Sequence, residues 1–190
     1  MMATVKGDLQ KSAKAMEESF FARENEKLLR KLRQEAELQK RRDALKETLQ
    51  IKNETILDRL VEMDLCAETI AAFTVIPLVE VAWADGTMSS KERAAILNGA
   101  AERGILPGTT NYLLLENWLN MKPEPKLFEV WQHYSRDLLT SLDADTASEL
   151  KARTLSRTRA VAEAAGGFLG LNKISDEERA VLDIIEETLS

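Results

Sequence analysis

The sequence predicts an all-α fold, and three observations carry that prediction. No segment alternates apolar and polar residues with period two. Apolar residues recur instead at helical spacing, as in Ile56, Leu57, Leu60, Val61 and Leu65. Gly104, Pro107-Gly108, Pro123, Pro125 and Gly166-Gly167 then punctuate the chain at intervals suited to helices rather than to short strands. At 190 residues there is room for one domain with a core and an appendage.

From residue 8 to about residue 52 there is neither Pro nor Gly, and the residues are good helix formers. A single helix of that length would reach about 68 Å at 1.5 Å per residue, longer than a compact domain of this size covers with one element. Residues 1–52 are therefore read as a charged helical arm, with coiled-coil character, and residues 53–190 as a compact multi-helix domain. The arm's Phe20, Phe21, Leu28, Leu29, Leu32, Leu38, Leu45 and Leu49 are expected to favour one side. Steps of seven join Phe21 to Leu28 and Leu38 to Leu45, but Glu35 and Arg42 fall on the first seam, so the heptad is imperfect. Phe20, Phe21, Leu28 and Leu32 are the candidate partner-binding residues, because large apolar side chains are costly to leave in water on a polar helix. Self-association or docking on a partner helix stands against a solvated helix laced by pairs such as Glu26 to Arg30 and Glu37 to Arg41. Peripheral membrane contact through Arg30, Lys31, Arg33 and Lys40, Arg41, Arg42 is less favoured, since acidic residues between the clusters weaken their field.

Beyond residue 53 the helices shorten. The segment 67–84 is apolar nearly all round and is expected to be central, with Pro77 kinking or splitting it. Glu80 within it requires a partner, either an Arg or backbone N–H or a metal ion. A third helix closes at Gly104, and the next, over residues 110–120, carries Tyr112, Leu113, Leu115, Trp118 and Leu119. Phe128, Trp131, Tyr134 and Leu138 repeat at helical spacing and read as core or interface rather than as cofactor contacts. The helix over residues 145–165 presents Arg153, Arg157 and Arg159 as a small basic patch, and Gly166-Gly167 reads as its left-handed exit.

Charge and composition exclude several classes of function. The formal net charge is −6, with 12 basic and 9 acidic residues in 1–50 against 14 and 23 in 51–190. A nucleic-acid binder is not expected, because phosphate backbones are held by clustered Lys and Arg. A single cysteine, Cys66, and the lack of an apolar signal region at the N-terminus point to the cytoplasm. The longest weakly charged apolar stretch, residues 70–84, falls short of the roughly 18 residues a membrane span needs. No enzyme and no tightly held cofactor is expected. His133 has no visible acid partner, Cys66 has no base or second ligand at a recognisable spacing, and the Gly166–Gly170 loop lacks the Gly-Lys-Ser/Thr of a phosphate loop.

The most informative local pattern occurs twice, 86 residues apart: Met88-Ser89-Ser90-Lys91-Glu92-Arg93-Ala94 and Ile174-Ser175-Asp176-Glu177-Glu178-Arg179-Ala180. In each, the Ser can accept from the backbone N–H three residues on while the Glu reaches back to the Ser N–H, a capping box that starts a helix. Duplication of a helical unit is the simplest explanation. In the first copy Asp85-Gly86 precedes the cap and resembles half of a calcium loop, with Asp85, Ser89 and Glu92 at ligand positions and Gly86 at the tight turn. Val81 and Trp83 occupy the other early ligand positions and offer no side-chain oxygen, so the expectation is a structural turn and caps from Gly86, Ser89, Glu92, Ser175 and Glu178. A weak divalent-cation site on Asp85 and Glu92, with Glu80 one turn earlier, is the alternative.

The run Val79-Glu80-Val81-Ala82-Trp83-Ala84-Asp85-Gly86-Thr87-Met88-Ser89-Ser90-Lys91-Glu92-Arg93 resembles the signature of the TerB-like tellurite-resistance family, over about residues 55–190. The resemblance implies a compact all-helical domain with two related halves. It also implies a non-enzymatic bacterial cytoplasmic protein tied to tellurite or other metal and chemical stress, working with membrane-associated partners. Acidic metal ligands proposed in that family map here onto Asp85 and Glu92; the second copy has Leu171-Asn172 in place of Asp-Gly, which speaks against a symmetric pair of sites.

Overall fold

The structure, a computed structural model, describes residues 2–165 and 174–190, with backbone alone for residues 2–15, 17, 18 and 165. The described residues are helical throughout, with no strand among them, and divide into two compact units at Arg41/Arg42. The Gly166–Gly170 loop and Leu171-Asn172 lie outside the described residues.

The first unit is the arm, the greater part of α1 (Met2–Leu49). Its apolar side chains do not gather on one face as the sequence suggested. At about 100° per residue, Phe20 and Leu38 share one azimuth while Phe21, Leu28 and Leu32 cluster roughly 100° away. Pairs at helical spacing lace the rest of the helix surface, Arg30 with Glu26 at 2.5 Å and Lys27 with Glu24 at 2.9 Å. The last turns of α1 behave differently: Leu45 and Leu49 are buried in the core of the second unit. That unit begins inside the helix, ahead of the Lys52/Asn53 boundary suggested by composition. α1 stops at Gln50, whose φ of 54° is left-handed.

The second unit opens with α2 (Glu54–Glu62), capped by Asn53, whose Oδ1 accepts from the N–H groups of Thr55 and Ile56. A charge clasp ties the end of α1 to α2: Arg42 meets Glu54 at 2.6 Å and Asp58 at 3.1 Å, and Lys46 meets Glu54 at 2.5 Å. The predicted helix over 67–84 is two short ones, α3 (Ile70–Phe73) and α4 (Ile76–Ala82), separated at Thr74 and Val75. Pro77 is the cause. It lies in the first turn of α4, where its missing N–H has no intrahelical acceptor to lose, and so it starts a helix instead of kinking one.

Six of the seven residues of α4 are buried: Ile76, Pro77, Leu78, Val79, Val81 and Ala82. Burying each Val, Leu or Ile there contributes about 1.5–3 kcal/mol by area transfer, an upper bound because the unfolded chain is itself partly compact. Around this helix pack α5 (Ser90–Ala101), α7 (Pro125–Ser141), α8 (Ala144–Ala165) and α9 (Asp176–Thr188). α6 (Thr110–Asn120) lies against α3. α5 meets α4 where Gly99 faces Leu78, and a Cβ built there would make an ordinary contact with Leu78 Cδ2 at 3.5 Å. The aromatics of α7 take the core positions expected of them, with Tyr134 5.7 Å from the Phe73 ring and Trp131 stacked on Phe128 at 5.6 Å. No described helix is long and apolar enough to cross a membrane.

Candidate functional site

The repeated pattern lies at the junction of α4 and α5 and at the start of α9. α4 ends at Ala82, and the chain turns at once, Gly86 N–H donating to Trp83 O at 3.0 Å. Gly86 adopts φ +86°, a conformation that disfavours any residue with a Cβ. Asp85 closes the turn as an Asx motif, Oδ1 accepting from the Thr87 N–H at 2.8 Å and the Thr87 hydroxyl at 2.9 Å. Both capping boxes form. Ser89 Oγ accepts from Glu92 N–H while Glu92 Oε2 accepts from Ser89 N–H at 2.8 Å, and Ser175 and Glu178 repeat the arrangement with a corresponding bond of 2.7 Å. Met88 and Ile174, each just ahead of its cap, rest partly buried on the core.

A second set of contacts locks this junction to the end of α6. Trp83 Nε1 donates to Trp118 O at 2.9 Å. Lys122 Nζ reaches Trp83 O at 3.2 Å and Glu80 Oε1 at 3.4 Å, and Arg93 bridges to Asn120 at 2.8 Å and Glu116 at 3.5 Å. The partner that Glu80 requires is thus a lysine beyond α6, neither an arginine nor a backbone N–H. Trp118, Lys122 and Asn120 carried no signal at sequence level, because nothing in their spacing from residue 83 reports that α6 ends beside it.

The three carboxylates proposed as metal ligands are turned to different tasks: Asp85 to the turn, Glu92 to the cap, Glu80 to Lys122. Among the described residues no group of three or more His, Cys, Asp or Glu is placed to hold a metal ion. Glu92 does have carboxylate neighbours, Asp85 of its own turn and Glu178 of the second cap. Burial holds its carboxyl above the usual range, hydrogen bonds from Ser89 work against that shift, and the charges of Glu178 and Asp85 add to it. Glu92 and Glu178 are only 4% and 5% exposed. The two caps therefore share one electrostatic neighbourhood, which the sequence reading did not anticipate.

Elsewhere, Cys66 Sγ sits 3.5 Å from Thr69 Oγ1 in the turn ahead of α3. The basic patch expected of α8 is split between two sides, Arg157 reaching Glu102 of the α5 terminus and Arg159 reaching Glu186 of α9. Comparison with protein-family models, with curated proteins and with solved structures returned no match.

Glu92 generates a pH prediction. Its carboxyl titrates above the ordinary value near 4.5, so the stability it contributes is present below that value and lost as pH rises through the folded one. Glu92→Gln keeps an oxygen to accept from Ser89 N–H and removes the charge. Its stability relative to wild type is expected to improve in denaturant unfolding as pH rises above about 4.5 and to level off once the folded-state carboxyl is ionised; a difference that does not change with pH contradicts the assignment.

Proposed function

We propose that this chain is a non-enzymatic interaction or scaffold protein, a helical mount from which the arm engages a partner helix or a second copy. The observation that carries the proposal is the arm's surface. Met16, Phe20, Phe21, Leu28, Leu29, Leu32 and Leu38 are each between 48% and 70% exposed, on a helix segment outside the compact core. Single exposed apolar residues are ordinary, but seven large ones in 23 consecutive residues are a surface that favours being covered. Their spread over two azimuths suits packing between partner helices better than a two-stranded seam. The TerB-like character belongs to the same proposal, and with it two related halves and a bacterial cytoplasmic role in tellurite or other metal and chemical stress. Its support is the Asp-Gly turn that leads into one capping box and the second box built alike on α9.

A divalent-ion sensor is the second reading. One observation favours it: Glu178 and Asp85 both press their charge on Glu92, and a cation would relieve that repulsion. In this reading Asp85 and Glu92 are the ligands, and Glu80 stays with Lys122.

The first reading is tested on the full chain by replacing Phe20, Phe21, Leu28 and Leu32 together with Ser. Wild type is expected to sediment above monomer mass or to retain a helical partner, and the variant to do neither at an unchanged melting temperature; indistinguishable behaviour of the two proteins contradicts it. For the second, Ca²⁺ or another divalent ion should raise the melting temperature of wild type and leave Asp85→Ala unmoved, since a ligand of the native state stabilises it by mass action. No shift with any ion in wild type eliminates that reading.

A further inference from the structure

Where α5 packs against α8, Arg103 lies next in sequence to the Glu102 that holds Arg157, and Arg153 sits one turn before Arg157 on α8, in a chain whose net charge is −6. Arg103 follows the last turn of α5. Its Nη1 donates to Thr74 O at 3.2 Å and Thr74 Oγ1 at 2.9 Å, so the guanidinium is anchored by a carbonyl and a hydroxyl. Among the described residues no carboxylate lies within ion-pair distance of it. Arg157 is drawn to the same spot by Glu102, the residue beside Arg103, through a 2.6 Å bond. Arg153, one turn before Arg157 on α8, is held by Glu149 of its own helix.

This arrangement is unfavourable as it stands. Arg103 is half-buried, and burial followed by the charges of Arg157 and Arg153 destabilises its protonated form, with Glu102 only partly compensating. Like charges brought together at a partly desolvated place need counter-charge. The two carboxylates that supply it are poorly committed: Glu102 and Glu149 are 64% and 68% exposed, and each bonds one arginine through a single oxygen. Carboxylates that exposed, each on a single-oxygen contact, contribute little to stability, so both acids can swing into water at little cost. Removing them would leave Arg153 and Arg157 without these carboxylate partners, beside an Arg103 that is anchored by Thr74.

We propose that Arg103, Arg153 and Arg157 form a binding site for a phosphate group, with Glu102 and Glu149 as exchangeable occupants that the ligand displaces. Guanidinium forks match the spacing of phosphate oxygens, and a dianion satisfies several at once where each carboxylate now satisfies one. The site is separate from the capping boxes and does not depend on the function proposed for the arm. Arg159 is outside it, being turned to Glu186 of α9.

The test is titration of the full chain with inorganic phosphate and, separately, with free phosphoserine, at constant ionic strength, followed by calorimetry or by amide chemical shifts. Saturable binding is expected, weakened about tenfold or more in Arg153→Gln/Arg157→Gln, the equivalent of about 1.4 kcal/mol, and unchanged in Arg159→Gln. Arg103→Lys, which keeps the charge and loses the fork, is expected to weaken binding while preserving the fold. Tighter binding of phosphoserine than of phosphate identifies a phosphate monoester as the ligand, and equal binding identifies the free ion. Absence of saturable binding in wild type, or equal loss in Arg159→Gln, overturns the proposal.

Discussion

The second unit depends on one constraint: a short helix, α4, is apolar on every side and is enclosed by four others. Burial on that scale leaves its start and its partly buried carboxylate with little access to water, so polar groups there take partners from other elements. The fold supplies them. Pro77 removes one N–H at the start, Lys122 takes Glu80 and the carbonyl of Trp83, and Trp83 itself is tied to Trp118. Arg103 satisfies the carbonyl of Thr74 just ahead of the helix.

The same constraint accounts for the run that resembles a calcium loop. An abrupt exit from a buried helix into the next one requires a left-handed residue, a side chain to close the turn and a cap for the new helix. Gly86, Asp85 and the Ser89–Glu92 pair meet those needs in seven or eight residues. A calcium loop uses the same residue types because it too is a tight turn leading into a helix, but it directs their oxygens to a cation. Here the oxygens of Asp85 and Glu92 accept from backbone N–H groups of their own turn. What remains of the ionic chemistry is the mutual influence of Glu92 and Glu178.

Much of this was legible in the sequence. Local chemistry decided the helix ends at residues 110–120, both capping boxes, the tight turn at Gly86 and the core placement of the α7 aromatics, and those expectations hold. Pro77 signalled a break but not which way it acts, because a proline that kinks one long helix and one that begins a second differ only in where the preceding turn closes. The sidedness of the arm failed for a related reason: steps of seven join individual pairs, yet Phe20 and Phe21 are neighbours and necessarily point about 100° apart. Leu45 and Leu49 were counted with the arm because composition does not change at the point where the helix enters the core. Trp118, Lys122 and Arg103 are long-range partners, set by packing that no local pattern encodes.

The core residues and caps hold the domain rigid, while the arm keeps large apolar side chains in water, and the arginines at the α5 terminus keep positive charge in an acidic chain. Enclosed by four helices, α4 and its end contacts are the last part of the domain to open. Native-state hydrogen exchange tests it most directly. The amides of Val79 to Trp83 should exchange only through global unfolding, with free energies equal to that measured by denaturant, while those of the arm exchange with far less protection. Exchange of the α4 amides through a smaller, local opening would contradict the account.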